Sequence, residues 1–421
     1  SMDATFKLFG AGPVVFINVL DPATHKKTFT AQTLQLNNKQ ATLDLQGVLL
    51  DGLTVKDGTT ASKTYTLGKD YLAEFNTDGT LQITMVGDAA SATTLTVNGN
   101  QIDASKVTAA DIVGGVDALT GKETGLELVR QIYPRFGMTP GILLAPGWSH
   151  NPTVAAALQA KTEGINGNFD CVTYLDISTD PEEDGAEVYT DVKTAKEALG
   201  APSPHAAALW PMGAGGDKVY YLSAMFAALT AYTDAGNSDV PYESPSNKDL
   251  RITATVLKDG TTVALDQQQA NDVLNANGVI TAINANGFKS WGNNTAAYPS
   301  TTDPKDRWWA VRRFFDWDGN NFIQTYFQKV DKPGNKRLIQ SIVDSQNIIG
   351  NGYVARDYCA GYRVEFRSDE NPVTNLLAGH LTVHTYLAPY IPAEYIENIR
   401  EYDVDALELS LIHISEPTRH A

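Results

Sequence analysis

The sequence predicts an α/β core with a mostly parallel sheet, an inserted all-β domain and an α+β C-terminal region. Three observations lead to this prediction. Between residues 113 and 240, short apolar runs alternate with stretches of helical spacing. Residues 27–112 instead carry short alternating runs separated by Asp-Gly and Asn-Gly pairs, which are typical of tight hairpins. After residue 241, helical and strand patterns follow one another without an internal repeat.

The clearest core unit is the stretch 140–163, together with the apolar run that follows it. Residues 142–145 are uniformly apolar, as in a strand buried on both faces. Asn151 predicts a helix N-cap, with Pro152 at the first helical position. Residues 171–177 predict a second buried strand. The two strands should be parallel with a right-handed crossover, and ligands often bind where such strands end.

The other elements follow from the same two periodicities. In the insertion, strands are predicted at 33–36, 42–45, 53–55, 71–75, 81–86 and 95–97. In the core, strands are predicted at 14–20 and 206–210 and helices at 126–134, 192–199 and 219–232. In the C-terminal region, we predict a helix capped by Asp266, a hairpin of 279–283 with 288–291, a strand at 308–314, helices at 322–330 and from Pro333, and strands near 362–366 and 381–387.

These patterns divide the chain into five segments. They are a first core strand (1–22), an inserted β-sandwich or barrel (23–112), an α/β core (113–240), an α+β region (241–408) and a non-native tail (409–421). Ser1-Met2 resembles a cloning remnant, and the final residues resemble translated adaptor sequence. We therefore expect terminal segments of the natural protein to be missing.

Composition narrows the possible partners. The 421 residues carry a net charge of −17, which disfavours nucleic acid and anionic membranes because both require positive charge. No signal-peptide pattern and no apolar run long enough to span a bilayer is present in the sequence. Cys171 and Cys359 are too few and too far apart to predict a disulfide framework, which favours a reducing compartment.

Ser149-His150 is the first candidate for catalysis, because it follows a predicted strand in the loop 146–151. The surrounding Gly-Trp-Ser-His-Asn is not the Gly-x-Ser-x-Gly elbow, and adjacent residues do not easily pair as nucleophile and base. The sequence assigns no orienting acid. We therefore interpret Trp148, Ser149 and His150 as residues of a helix-initiating loop.

The glycine-rich stretch 211–218 lies between a predicted strand and a predicted helix. A phosphate loop requires Gly-x-x-x-x-Gly-Lys-Ser/Thr, in which backbone amides and the lysine converge on phosphate. Here Asp217 would repel a phosphate, and no Ser or Thr follows Lys218. A flexible connector is the better interpretation.

Two further patterns suggest metal ligands. Residues 316–320 resemble the start of a calcium loop, but an EF-hand requires Gly and Glu where Asn321 and Phe327 stand. We expect a polar turn there. His380 and His384 are placed on one face of a predicted strand, too far apart for one metal ion, and we expect surface histidines.

Trp291, Trp308 and Trp309 are predicted to be core or interface aromatics. Stacking on nucleic acid would require a basic groove, and Arg312-Arg313 alone does not supply one. The sequence thus predicts no catalytic residue, no cofactor-binding residue and no metal ligand.

Several stretches without catalytic groups nevertheless occur in a recognisable order. They are GPVVFINVLDP (12–22), PGILLAPG (140–147), VPYESPSNK (240–248), LNANGVI (274–280), SWGNN (290–294) and PAE (392–394). In order and spacing they resemble the tail sheath protein of contractile-tailed bacteriophages and phage-tail-like particles. The resemblance covers most of the chain outside the β insertion.

The resemblance implies a structural subunit that polymerises in hexameric rings and a helical stack around an inner tail tube, and contracts to drive the tube through a target envelope. Its implied partners are other sheath subunits, the tube protein, and baseplate and tail terminator proteins. It implies no enzyme and no cofactor, and a virion tail assembled in the bacterial host cytoplasm. Terminal arms would add strands to neighbouring subunits.

Because both arms are expected to be truncated, we expect this chain alone to be monomeric or to assemble poorly. The insertion is expected on the outside of the sheath. Two alternatives remain open at this stage. One is a surface adhesin that binds carbohydrate through the β insertion, and the other is an α/β hydrolase-like or nucleotide-dependent enzyme using loop 146–151 or 213–216.

Overall fold

The computed structural model describes residues 2–59 and 63–415. The chain begins with a π-helical turn, Asp3–Phe9, which packs on the core through Ala4 and Phe9. Residues 10–20 follow without forming a strand, so the predicted strand 14–20 is wrong. Val15 and Ile17 pack against the core, whereas Phe16 is exposed. Val15 and Ile17 thus follow the predicted alternation, but no strand among the described residues pairs with this stretch.

The insertion is built from antiparallel strands. They are β1 (Lys26–Gln35), β2 (Gln40–Leu43), β3 (Thr54–Asp57), β4 (Thr64–Tyr65), β5 (Tyr71–Phe75), β6 (Leu81–Met85) and β7 (Thr94–Ile102). They form two sheets, in the orders β1-β7-β3-β4 and β2-β6-β5. In β6, Leu81, Ile83 and Met85 are buried, as period-2 alternation requires, and they belong to a core cluster that these strands share. The two sheets thus enclose a hydrophobic core of their own.

The segment after the insertion alternates strands and helices. Its elements are α1 (Ala109–Val113), β8 (Gly115–Val116), β9 (Glu123–Thr124), α2 (Ile132–Phe136), β10 (Ile142–Leu143), α3 (Pro152–Ala160), β11 (Val172–Asp176), α4 (Val192–Leu199), β12 (Ala206–Leu209), β13 (Met212–Gly215), β14 (Lys218–Tyr220), α5 (Leu222–Gly236), β15 (Ala254–Val256), α6 (Gln267–Gln269), β16 (Val279–Asn284) and β17 (Phe288–Trp291). The fold is therefore mixed α/β with several sheets.

One sheet, in the order β10-β11-β12-β16-β17, forms the centre of this segment. The pairs β10–β11, β11–β12 and β12–β16 are parallel, and the predicted hairpin β16–β17 is antiparallel. Every residue of β11 is buried, and its side chains alternate between two cores. Tyr174 faces α5, whereas Leu175 belongs to the cluster that holds α3 and α4. Helices on both faces explain why β11 is buried along its whole length, including the polar residues Thr173 and Asp176.

The glycine-rich stretch 211–218 is not the flexible connector that we predicted. β13 and β14 form an antiparallel hairpin within it, and β15 pairs with the other edge of β13. Gly213 is packed against Ile252, where a Cβ atom would lie 3.1 Å from the Ile252 side chain. The glycines therefore allow close packing in a short sheet.

The remaining elements form the C-terminal region. They are α7 (Pro304–Arg307), α8 (Trp309–Tyr326), α9 (Lys336–Ala355), β18 (Cys359–Glu365), α10 (Val373–Leu377), β19 (His384–Pro389) and α11 (Val404–Ser415). β18 and β19 pair antiparallel, as the alternation near 362–366 and 381–387 predicts. No helix in the described residues is both long and apolar enough to cross a bilayer.

Two predictions about α8 are wrong. Residues 308–314 are not a strand, and residues 316–320 are not a turn, because a single helix runs through both. Its buried positions include Trp309, Arg313, Asp316 and Asn320, which recur at helical spacing. The polar residues among them concealed this periodicity, since each is buried together with a hydrogen-bonding partner.

Helix α9 crosses β18 at Gly350, where a Cβ atom would lie 1.9 Å from the ring of Tyr362. The ring cannot easily move away, because its hydroxyl donates to Asp318 at 3.0 Å. We expect Gly350→Ala to lower the free energy of unfolding by about 1–3 kcal/mol through overpacking. Gly352→Ala is the matched control, since nothing lies within 4 Å of its Cβ position. Equal effects of the two substitutions in urea titrations would contradict the close crossing.

The residues after β19 are largely exposed. Residues 390–403 contain no regular secondary structure, and α11 follows them. The predicted non-native tail 409–421 lies partly in α11, and its residues 416–421 fall outside the described residues. We call residues 390–409 the C-terminal segment. Its exposed large apolar side chains are Tyr390, Ile391, Tyr395, Ile396, Ile399, Tyr402, Val404, Leu407 and Leu409.

Candidate functional site

The loop 146–151 lies at the carboxyl ends of β10 and β11, as predicted, and Asn151 caps α3 by accepting from the amide of Thr153 at 3.0 Å. Ser149 is fully buried. Its hydroxyl donates to Asp176 Oδ2 at 2.9 Å and accepts from the Asp176 amide at 3.1 Å. Ser149 is thus bonded to a carboxylate and sealed from solvent, and neither property suits a nucleophile.

Asp176 is the acid that sequence analysis did not find. It ends β11 and also accepts from Ser223, through the amide at 2.8 Å to Oδ1 and the hydroxyl at 2.5 Å to Oδ2. Ser223 lies in the first turn of α5, where free amides and the helix dipole favour an acceptor. Burial raises the pKa of the Asp176 carboxyl, and the hydrogen bonds from Ser223 and Ser149 oppose that rise. The carboxyl group therefore joins the loop, the strand and the helix.

A shallow pocket lies beside this junction, lined by His150, Glu183, Tyr221 and Lys258 among others. His150 Nε2 is 3.4 Å from Glu183 Oε2, and Lys258 Nζ is 3.3 Å from Glu183 Oε1 and 3.1 Å from Asp180 Oδ2. The cavity volume is about 20 Å³, room for about one water molecule. A small-molecule site typically requires about 300 Å³ or more. The charged groups hold one another rather than a substrate.

We expect Ser223→Ala to lower the free energy of unfolding by about 1–3 kcal/mol, because it removes a 2.5 Å hydrogen bond to a buried carboxyl group. Ser341→Ala, at an exposed position of α9, is the control and should change stability by less than about 0.5 kcal/mol. Chemical denaturation measures both. A neutral Ser223→Ala would show that the Asp176 junction does not stabilise the core.

The other candidates from the sequence are also occupied by structural contacts. Lys218, at the end of the glycine-rich stretch, bonds to Asp3 at 2.9 Å. Asp316 pairs with Arg312 at 2.6 Å, and the side-chain amide of Asn320 donates to the Asp170 carbonyl at 2.6 Å. Within the described residues, no group of three or more His, Cys, Asp or Glu side chains is arranged to hold a metal ion.

The predicted histidine pair does not form. His380 precedes β19 and His384 begins it, so the two residues do not share a strand. His384 Nδ1 instead lies 2.7 Å from Glu370 Oε1. Of the tryptophans, Trp309 is a core residue whose indole N–H donates to the Tyr174 hydroxyl at 3.2 Å, while Trp308 is nearly buried and Trp291 is half-buried. Both cysteines are buried free thiols.

Two buried polar contacts in the C-terminal region were not predicted. Arg313 makes a two-pronged contact with Asp234 at the end of α5. Asp318 accepts from the hydroxyl of Tyr362, which in turn accepts from the side-chain amide of Gln346 at 2.6 Å. The partners are 79 and 44 residues apart in sequence, so no local pattern connects them.

Apolar surface is exposed in the C-terminal region. Besides the C-terminal segment, a groove of about 410 Å³ lies along α9, lined by Ile339, Val343 and Phe366. Other exposed large side chains in this region are Phe327, Val330, Ile348, Val373 and Leu377. Exposed apolar area on this scale indicates an interface for other proteins. It is the strongest candidate for a functional surface.

Comparison with solved structures identifies the class of fold. The chain resembles a chain of the anti-feeding prophage baseplate, with a TM-score of 0.53 at 17% identity over 69% of this chain and 75% of that chain. It resembles equally a sheath complex of an extracellular contractile injection system in the contracted state, with a TM-score of 0.53 at 19% identity over 67% of this chain and 76% of that chain. The fold is that of contractile sheath assemblies.

The sequence relatives are phage tail sheath proteins, which is a more specific description than the fold alone provides. The tail sheath protein of Burkholderia phage BcepMu is 27% identical over 399 residues, which cover 92% of this chain and 81% of the relative. The tail sheath protein of Escherichia phage P2 is 26% identical over 297 residues, covering 68% of this chain and 69% of the relative. No family model matches the chain. The predicted resemblance is confirmed, because the chain is similar in sequence to phage tail sheath proteins and in fold to contractile sheath assemblies.

Proposed function

We propose that this chain polymerises in rings around an inner tail tube and contracts to drive the tube through a target envelope. The observation that carries the proposal is the apolar surface of the C-terminal region. Side chains such as Tyr395, Ile396 and Ile399 are more than four-fifths exposed in the single chain. Such side chains are costly to leave in water, and other subunits of a polymer would cover them.

The small sheet β18–β19 supports a specific mode of assembly. A two-stranded sheet is marginally stable alone, and the backbone groups along its outer edges can pair with a further strand, except at Val364, whose N–H and C=O already bond to the Asn347 side chain. Strands donated by the terminal segments of neighbouring subunits would satisfy those groups. Each added backbone hydrogen bond contributes about 0.5–1.5 kcal/mol net, so a few residues would hold a link while the globular bodies turn.

Further proposals follow from the same assembly. Residues 23–112 would form an inserted domain on the outside of the sheath, where the separate core of β1–β7 leaves it independent of the tube. Residues 113–240 would be the α/β core with its mostly parallel sheet. Baseplate and tail terminator proteins would bind the ends of the stack, and assembly would take place in the host cytoplasm. No catalytic step is needed, and the sealed hydroxyl of Ser149 supports a non-enzymatic role.

The test is co-expression of the chain with a tube protein of a contractile tail, followed by negative-stain electron microscopy. Striated cylinders wider than the bare tube are expected, whereas the chain alone should remain monomeric or assemble poorly. The matched control is a chain ending at Pro389, which lacks the C-terminal segment and should leave bare tubes. Bare tubes with the complete chain would contradict the proposal.

A further inference from the structure

We propose that Arg307 anchors the C-terminal segment to its own subunit and so fixes the point at which the segment leaves the body toward a second copy of this chain. The inference rests on the proposed function. Its basis is the ion pair between Arg307 Nη2 and Glu394 Oε2, at 3.5 Å.

Other residues of the same subunit hold the Arg307 guanidinium in place independently of Glu394. Its central carbon lies 4.4 Å from the ring centre of Tyr298 and 4.1 Å from that of Trp308. Its Nε donates to Asn294 Oδ1 at 3.0 Å. Aromatic stacking of a guanidinium and a third contact at Nε leave little rotamer freedom to lose when a carboxylate binds.

The support behind Arg307 is itself buried. Asn294 is 4% exposed, and its amide donates to the Asn275 carbonyl at 3.1 Å. The backbone of Arg307 is fixed too, because its carbonyl accepts from the Thr295 amide at 2.7 Å. The guanidinium edge that faces the C-terminal segment therefore belongs to a rigid part of the fold.

Glu394 marks the boundary between the attached and the free part of the segment. The Arg307 and Glu394 side chains are 25% and 33% exposed, so their attraction is only partly screened by water. The next residues, Tyr395 and Ile396, are 81% and 85% exposed. Pro392 restricts the backbone just before the ion pair. The segment is thus held at Glu394 and presents its apolar side chains beyond that point.

The first test uses the isolated chain and limited digestion with chymotrypsin, which cleaves after aromatic residues such as Tyr395. Glu394→Gln is expected to accelerate cleavage there about two- to fivefold, because the ion pair no longer restrains the adjacent peptide. Arg307→Lys should also accelerate it, since lysine keeps the charge but loses the planar stack. Glu397→Gln, three residues further along the exposed segment, is the matched control and should not.

The second test is co-expression of the same variants with the tube protein. Glu394→Gln and Arg307→Lys should lower the yield of sheathed cylinders, whereas the control Glu74→Gln, at an exposed position of β5 in the insertion, should not. Unchanged cleavage in Glu394→Gln, with melting temperatures equal to wild type, would overturn the anchor. Faster cleavage with a normal yield of cylinders would overturn its role in assembly. If wild type forms no cylinders, the proposed function fails instead, and the cleavage experiment still decides whether the anchor exists.

Discussion

Replacing Asp234 by alanine is expected to lower the free energy of unfolding by about 3–5 kcal/mol. Arg313 is 8% exposed, and its Nη1 lies 3.2 Å from Asp234 Oδ1 while Nη2 contacts the second oxygen. Burial lowers the pKa of Arg313, but the Asp234 carboxylate more than offsets this and raises it overall. The guanidinium therefore stays charged, and removing its partner leaves a buried, unpaired cation.

The matched control is Asp369→Ala. Asp369 also pairs with an arginine, Arg367, at 2.6 Å, but its side chain is 63% exposed. Water replaces an exposed partner, so this substitution should cost less than about 1 kcal/mol. Urea unfolding of both variants measures the difference. If Asp234→Ala cost no more than Asp369→Ala, the pair between α5 and α8 would not be an important link between the core and the C-terminal region.

The second large effect is a dependence of stability on pH through Asp318. Burial raises the pKa of this carboxyl from 3.8 to about 6, and the hydrogen bond from Tyr362 only partly opposes the rise. Between pH 3.8 and pH 6, the Asp318 carboxyl group is protonated in most folded molecules but ionised in most unfolded ones. The contribution of Asp318 to stability is therefore fully present below pH 3.8 and is lost as pH rises through 6. Its size is about 3 kcal/mol, from a shift of 6 − 3.8 = 2.2.

Asp318→Asn isolates this effect, because the amide keeps the shape of the side chain and does not titrate. The free energy of unfolding of wild type minus that of Asp318→Asn should increase by about 2.4 kcal/mol between pH 7.5 and pH 4, most of the full effect. Asp344→Asn, at an exposed position of α9, is the control and should show little such change. A difference that stays flat with pH would contradict the burial of an uncompensated carboxyl group.

Local patterns predicted the part of the fold that local rules determine. The unit 140–163 is present because Asn151 caps α3, and the mainly apolar run 171–177 that follows it forms β11 between two layers of helices. The insertion was predicted as all-β from its alternation and its Asp-Gly and Asn-Gly pairs. Gly58 follows β3 and Asp78-Gly79 joins β5 to β6, but Asn98-Gly99 lies within β7 and marks no turn. In both places the chemistry of a few neighbouring residues determines the conformation.

The incorrect predictions concern residues whose partners are distant in sequence. Residues 14–20 have the composition of a strand, but no strand is available to pair with them. Residues 308–320 were assigned to a strand and a turn because Arg313, Asp316 and Asp318 appeared to interrupt the apolar pattern. Arg313 and Asp318 are buried against partners that are 79 and 44 residues away. Asp316 pairs with Arg312 one helical turn away, a spacing that favours a helix over a strand.

The same reason applies to the candidate site. Ser149 was identified as the residue to examine, but its partners were not. Asp176 lies 27 residues after Ser149, and Ser223 lies 47 residues after Asp176. The only local signal was an aspartate at the end of a buried apolar run. The resemblance to sheath proteins, in contrast, depended on the order of many stretches along the chain, and the sequence relatives confirm it.

The proposed assembly is tested most directly by a helical cryo-electron microscopy reconstruction of sheathed tubes formed by this chain and a tail tube protein. We expect the C-terminal segment to leave its subunit after the Arg307–Glu394 contact and to join the sheet of a neighbouring copy, with residues 23–112 on the outer surface. A reconstruction in which the segment folds back onto its own subunit and makes no contact with a neighbour would contradict it.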